Sequence, residues 1–312
     1  KKVDVKEKIM KWLKKELVYG AKGEFGSWMD NSAMKPIPVM IGDVLRVYVT
    51  FRTKDGAGRP GYVDVNPECP SEVYDVSKQP LLELGDVGYF DDNGVVPCTV
   101  FEYQGKYYMY YTGFNLGVKV RMTYFSGLGI SDDGTHFSKF STVPVMERTV
   151  QGALFRSVQC VVREQNKWKV YYVAGDKFLP GKKKTLAAYE LYCLETEDLT
   201  KLNYEGEKVL PCVDNEYRIG APQIIKEDGI YKMYYCTGTE DVTYDLKYAE
   251  SEDGFHWNRM DEKLGFKRTV GGWDSDMAAY PSVIRYKDKT YMFYNGNNFG
   301  HEGFGYAELI CD

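Results

Sequence analysis

No stretch of this 312-residue chain approaches the roughly 20 consecutive apolar residues that span a bilayer, and the first twenty residues lack the apolar segment of a secretory signal. A soluble protein with no membrane role is expected. C-x-x-C pairs are also missing. Seven cysteines (Cys69, Cys98, Cys160, Cys193, Cys212, Cys236 and Cys311) are odd in number and scattered, which indicates neither a disulfide framework nor a structural zinc site. Reduced thiols in a cytoplasmic protein are the expectation. Histidine is scarce, with three residues and no His/Asp spacing diagnostic of a metal, so no cofactor is expected. Calcium among loop carboxylates would leave no readable motif. Basic tracts are absent beyond Lys182, Lys183 and Lys184, and 40 Lys plus Arg against 45 Asp plus Glu leave a net charge of −5, which argues against nucleic-acid partners. Oligomeric state leaves no signal.

With 44% apolar and 27% charged residues the chain has a globular composition. Its 27 Tyr, 15 Phe and 31 Gly favour short strands and tight turns, hence an all-β fold. One pattern recurs: VVPCTVFEYQGKYYMYYTG from Val95, RSVQCVVREQNKWKVYYVAG from Arg156, GAPQIIKEDGIYKMYYCTG from Gly220 and AAYPSVIRYKDKTYMFYNG from Ala278, with a weaker copy, PIPVMIGDVLRVYVTFR, from Pro36. Each is an apolar run, a polar turn and a second run rich in Tyr, Met and Val, which is a hairpin signature. A third strand follows each copy, and a fourth is expected after SDDGTHFSKF and SEDGFHWNRM. Five copies at this spacing predict a single five-bladed β-propeller over residues 21–312. Residues 1–20 hold Ile9, Trp12, Leu13 and Leu17 at helical spacing and predict an amphipathic helix packed on the ring. Residues near the N-terminus are also candidates for the fourth strand of the fifth blade.

In such a blade, the loop leading into the first strand and the loop joining strands two and three lie on one face. The opposite face is then made of short hydrophilic turns. His136 and His256 repeat within an S-x-D-G-x-H turn there, which argues for structure over catalysis. The first face gathers carboxylates, arginines and aromatics, and loops on a rigid scaffold are where sites are built.

The repeated P-x-(V/I)-(V/I)…G-x-Y-x-M-(Y/F)-Y-x-G, followed by G-x-A-x-S-x-D-G-x-x-W, resembles the five-bladed propellers of glycoside hydrolase families 43, 32, 117 and 130 over residues 28–309. Trp28-Met29-Asp30-Asn31 resembles the W-M-N-D of family 32 with acid and amide exchanged. The resemblance implies acids at the inner ends of first strands, often just before the blade's proline. Here Val96, Ala221 and Tyr280 precede Pro97, Pro222 and Pro281, and the acids lie further upstream.

Glycosidic cleavage requires one carboxylic acid to protonate the leaving oxygen and one carboxylate as nucleophile or base. Asp30 and Glu216 are the candidate base and acid, with Asp92 as a third carboxylate. Arg148, Arg156 and Arg218 are candidate anion grips and Trp273, Asp276 and Tyr280 candidate sugar contacts. The expected function is a carbohydrate-active enzyme, a hydrolase acting on an oligosaccharide or small-molecule substrate, with acidic or phosphorylated sugars as candidates. The alternatives are a glycoside phosphorylase or glycosyl transferase using the arginines for an anion, and a noncatalytic sugar-binding propeller.

Overall fold

The computed structural model describes residues 8–311. Strands dominate, and helical turns are confined to Ser27–Met29, Asp261–Leu264 and Asn297–Gly300. No helix among the described residues is long and apolar enough to cross a membrane.

After β1 (Lys11–Tyr19), strands follow as antiparallel meanders. Unit one is β2 (Asn31–Ile41), β3 (Val44–Arg52), β4 (Gly58–Asn66) and β5 (Cys69–Val76). Unit two is β6 (Gly94–Tyr103), β7 (Lys106–Leu116), β8 (Met122–Ser131) and β9 (Phe137–Lys139). Unit three is β10 (Phe155–Glu164), β11 (Lys167–Leu179), β12 (Leu186–Thr196) and β13 (Glu207–Leu210). Unit four is β14 (Arg218–Glu227), β15 (Ile230–Gly238), β16 (Asp245–Ser251) and β17 (Asn258–Arg259). Unit five is β18 (Ala279–Tyr286), β19 (Lys289–Asn295) and β20 (Phe304–Cys311), completed by β1. The expected hairpins are present, and their turns follow from local chemistry. In Gln104-Gly105 and Asp228-Gly229 both residues have positive φ, as a type I′ turn requires to match the twist of its strands.

β1 corrects the expected amphipathic helix. Lys11–Tyr19 runs antiparallel to β20, from Lys11 opposite Cys311 to Tyr19 opposite Phe304, and Trp12 Nε1 donates to Leu264 O at 2.8 Å. Residues 1–7 of that expected helix lie outside the described residues. The reason for the strand is tertiary. β20 would otherwise present a row of unpaired N–H and C=O groups, and pairing them outweighs a modest helical propensity. The expected contribution of N-terminal residues to the last meander is what the chain does.

The first strands touch in cyclic order, β2 to β6 to β10 to β14 to β18 and back to β2. Five apolar clusters fill the spaces between successive units: Tyr48 and Tyr111 between one and two, Tyr110 and Trp168 between two and three, Leu191 and Met233 between three and four, Tyr248 and Met292 between four and five, Phe293 and Val49 between five and one. The core is therefore an annulus, and the axis is left to other side chains. Tyrosines sew neighbours together, with Tyr48 Oη donating to Gly134 O at 2.6 Å and Tyr171 Oη to Gly254 O at 2.9 Å. These acceptors lie in the S-x-D-G-x-H turns, where Asp133 and Asp253 each hold two backbone N–H groups and the histidine Nδ1 at 2.6 Å. His136 and His256 are thus parts of docking turns.

Candidate functional site

Every first strand is broken by a β-bulge at the same level. The register slips between Met34 and Ile37, at Cys98, at Gln159, between Gly220 and Gln223, and between Ala279 and Ser282. In three units the bulge is a left-handed residue ahead of a proline: Lys35 (φ 57°), Ala221 (φ 47°) and Tyr280 (φ 56°) precede Pro36, Pro222 and Pro281. That conformation costs a non-glycine residue about 1–2 kcal/mol, and bulges commonly re-aim side chains at functional sites. Here they bring Lys35, Cys98, Gln159, Ala221 and Tyr280 to one channel lined by all five first strands.

The channel is polar. Lys35 Nζ donates to Gln159 Oε1 at 2.6 Å and lies 3.0 Å from Cys98 Sγ and 6.0 Å from the centre of the Tyr280 ring. Behind them Thr112 Oγ1 sits 3.0 Å from Cys98 Sγ and 2.6 Å from Ser157 Oγ, and Gln159 Nε2 donates to that hydroxyl at 3.2 Å. Lys35 has no carboxylate within ion-pair distance among the described residues.

Tyrosines and Arg218 flank the channel between units three, four and five. Tyr244 contacts Tyr280, with centroids 5.7 Å apart, and its hydroxyl is hydrogen-bonded to that of Tyr189. Burial, before any other cause, pushes the phenols of Tyr244 and Tyr280 up, so both are neutral donors at physiological pH. The Arg218 guanidinium lies 3.9 Å from the Tyr244 ring, 5.0 Å from Tyr217 and 5.9 Å from Phe299.

The candidate carboxylates do not converge on this channel. Glu216, the candidate acid, sits in a local ion pair. Arg259 grips it bidentately at 2.9 and 2.8 Å, Val213 N donates to it at 3.0 Å, and its side chain is 8% exposed. Burial alone would raise its pKa, but Arg259 and the Val213 N–H overcome that and hold it below the usual carboxylate range, the wrong direction for a proton donor. Asp92 is spent on Gly88 N (2.8 Å) and Asn115 Nδ2 (2.9 Å) within its own loop. Asp30 accepts Lys54 N at 3.0 Å, closing a turn of unit one.

Arg156, a candidate anion grip, is enclosed. It has no exposed surface, donates to Glu147 O at 2.9 Å and to Tyr204 O, and lies 5.0 Å from the Tyr172 ring inside unit three. Arg148 is exposed over Phe125, with Glu147 3.5 Å away. Trp273 stacks on Tyr294 at 4.8 Å and serves the packing of unit five, and Asp276 is exposed beside Ser275. Of the nine candidates, Tyr280 lines the channel, and Arg218 packs on Tyr244, the neighbour of Tyr280. Lys35, Cys98 and Gln159 were missed; the strand register aligns Lys35 with Ala221 and Tyr280, and Cys98 and Gln159 with the adjoining Pro222 and Pro281. No group of three or more His, Cys, Asp or Glu among the described residues is placed to hold a metal ion.

No family model matches the chain. It is 28% identical over 309 residues to the uncharacterized protein Rv1502 of Mycobacterium tuberculosis, covering 96% of this chain and 99% of the relative. Among solved structures, a glycoside hydrolase superposes with a TM-score of 0.71 at 18% identity, covering 95% of this chain and 92% of the other. The chain shares its fold with the glycoside hydrolases. A thermostable family-43 glycoside hydrolase gives a TM-score of 0.69 at 17% identity over 89% of this chain and 88% of that one. A structure from the GH130 family of mannoside phosphorylases, which contains glycoside hydrolases that target β-1,2 mannosidic linkages in Candida mannan, gives 0.73 at 14% identity over 98% and 95%.

Proposed function

We propose that the chain is a five-bladed β-propeller that is active on carbohydrate, with the sugar bound where the five bulges meet. One observation carries this reading: a channel that every first strand lines has Tyr280 in its wall, backed by Tyr244 and Tyr189, and these aromatic rings and hydroxyls offer the apolar faces and hydrogen-bonding groups that saccharides require. The shared fold supports it by analogy.

The chemistry we propose differs from hydrolysis by a carboxylate pair. Such a pair needs two carboxyl groups facing one bond, about 5–10 Å apart. The five bulge positions hold Lys, Cys, Gln, Ala and Tyr, while Glu216 and Asp92 are engaged elsewhere. Transfer to or from an oxyanion asks less of protein carboxylates, because the anion itself attacks or leaves. Noncatalytic binding is the second reading, and the same lack of acids favours it.

Calorimetry with a panel of neutral and charged hexoses and short oligosaccharides tests the binding, comparing wild type with Tyr280→Ala. We expect saccharide binding in the wild type, weakened at least tenfold in the variant. Failure of every saccharide to bind at millimolar concentration would overturn the reading. Turnover of aryl glycosides with and without inorganic phosphate then separates hydrolysis, phosphorolysis and binding alone.

A further inference from the structure

We infer that the funnel takes a sugar carrying its own oxyanion, a phosphate or carboxylate, and that Arg218 grips that group. This deepens the carbohydrate reading and rests on it.

Several half-buried and buried cations elsewhere in the protein face carboxylates. Arg46 pairs with Asp64, Arg259 with Glu216, Lys139 with Asp91 and Lys263 with Glu250, all at 2.7–2.8 Å. Arg218 does not. It is 9% exposed, one of its N–H groups donates to Thr243 O at 2.8 Å, its Nε has no acceptor, and no carboxylate lies within ion-pair distance among the described residues. A guanidinium offers five N–H donors, and burying its charge without a counter-charge is costly. Aromatic rings surround it, and an anion is what its open donors lack.

Arg156 makes the contrast. Both arginines stand at the start of their unit's first strand, one register position apart, with Arg156 opposite Ala174 and Arg218 opposite Gly238, and the Nε of Arg156 is also unpaired. Arg156, however, is sealed by two backbone carbonyls and the Tyr172 ring, with no exposed surface. Arg218 keeps an opening and has one carbonyl. The arginine at this end of the first strand is a strut in unit three and an unsatisfied donor in unit four.

The surroundings point the same way. Two further cations belong to the neighbouring loops: Arg121 donates to Thr185 O, next to the exposed Lys184, whose pKa is lowered by desolvation first and then by Arg121 and Arg218. Lys35 adds another without a carboxylate at the axis. Asn298 and Phe299 both hold φ of 56°, and together they place the Phe299 ring beside Arg218. Strained residues of this kind cluster at ligand clamps. Phosphate and carboxylate both suit the planar fork of a guanidinium.

The test is calorimetric titration of glucose, galactose and mannose, their 6-phosphates, glucuronate and galacturonate, and inorganic phosphate, against wild type, Arg218→Lys and Lys184→Met. At least one charged sugar is expected to bind wild type about tenfold or more tighter than its neutral parent, to lose about tenfold in Arg218→Lys, and to weaken with rising salt. Lys184→Met changes an exposed residue and keeps the test valid if the Arg218 variant does not fold; it should weaken charged sugars several-fold and leave neutral ones unchanged. Neutral sugars binding as well as charged ones in all three proteins would overturn the inference and leave the carbohydrate reading standing. Inorganic phosphate binding as tightly as any sugar phosphate would overturn the claim that the anion is borne by the sugar. Binding of phosphate without any saccharide would overturn both readings.

Discussion

The Lys35 ammonium and the Gln159 amide meet at 2.6 Å, joining units one and three, which are not neighbours around the ring. Such a contact is possible only at the axis. It defines the centre of the molecule by a cation whose partners are a neutral amide oxygen and a thiol. Lys35→Met should therefore fold with unchanged or slightly raised stability, because replacing a desolvated charge by an apolar chain of similar length is often neutral or favourable by about 1–4 kcal/mol. Affinity for charged sugars should fall in the same variant. Unfolding in urea and the binding panel check both, and a severe loss of stability would show that Lys35 is a strut.

Ring closure depends on Asn295, which is fully buried. Its Nδ2 donates to Ala33 O and Gly303 O at 2.9 Å each, and its Oδ1 accepts Lys35 N at 2.6 Å, tying unit five to unit one. Asn295→Leu leaves three backbone groups unpaired, and each costs about 1–3 kcal/mol. We expect a loss of at least about 3 kcal/mol by urea unfolding. A loss below about 1 kcal/mol would mean that the latch is dispensable.

Glu216 should matter to stability rather than to turnover. Its folded pKa lies below its unfolded value, so its contribution is present above about pH 4.3 and is lost as pH falls through the folded value. Wild type should thus weaken on acidification below that point, while Glu216→Gln is less stable at pH 7 by about 3 kcal/mol and shows a flatter acid limb. Equal stability at pH 7, or loss of ligand binding in a fully folded variant, would return Glu216 to the site.

The S-x-D-G-x-H turns separate structure from catalysis. Asp253 Oδ1 accepts Phe255 N and His256 N at 2.8 Å, whereas His256 is exposed. Asp253→Ala should cost about 1–2 kcal/mol through its lost turn bonds. His256→Ala should stay within about 0.5 kcal/mol, as exposed substitutions do. Thermal unfolding of both variants decides, and a large effect of the histidine alone would contradict the docking role of the turn.

Removing residues 1–19 takes away the partner of β20 and bares its edge. The shortened chain should aggregate or unfold over a broad range, seen by light scattering and calorimetry. Wild-type cooperativity in that chain would show β1 to be an accessory strand.

Hairpins, turn types and the fivefold repetition were legible in the residues, because alternation, Gly-containing turns and recurring Pro and Tyr positions are local properties of strands. What the sequence could not decide was which way each loop side chain turns. Asp30, Asp92 and Glu216 read as convergent acids, yet local N–H groups and Arg259, a residue 43 positions away in the outer strand β17, claimed them first. Arg156 and Arg218 both open the first strand of their unit, and only the packing around Tyr172 and Tyr204 in one case, and Tyr244 and Phe299 in the other, made one a sealed strut and the other an open donor. The N-terminal segment fits a helix by its spacing and became a strand because an edge 290 residues later needed a partner, with Lys14 paired to Ala307 and Leu17 to Gly305. Local periodicity fixes what a segment is able to form; the hydrogen-bonding and charge demands of distant neighbours fix what it does form.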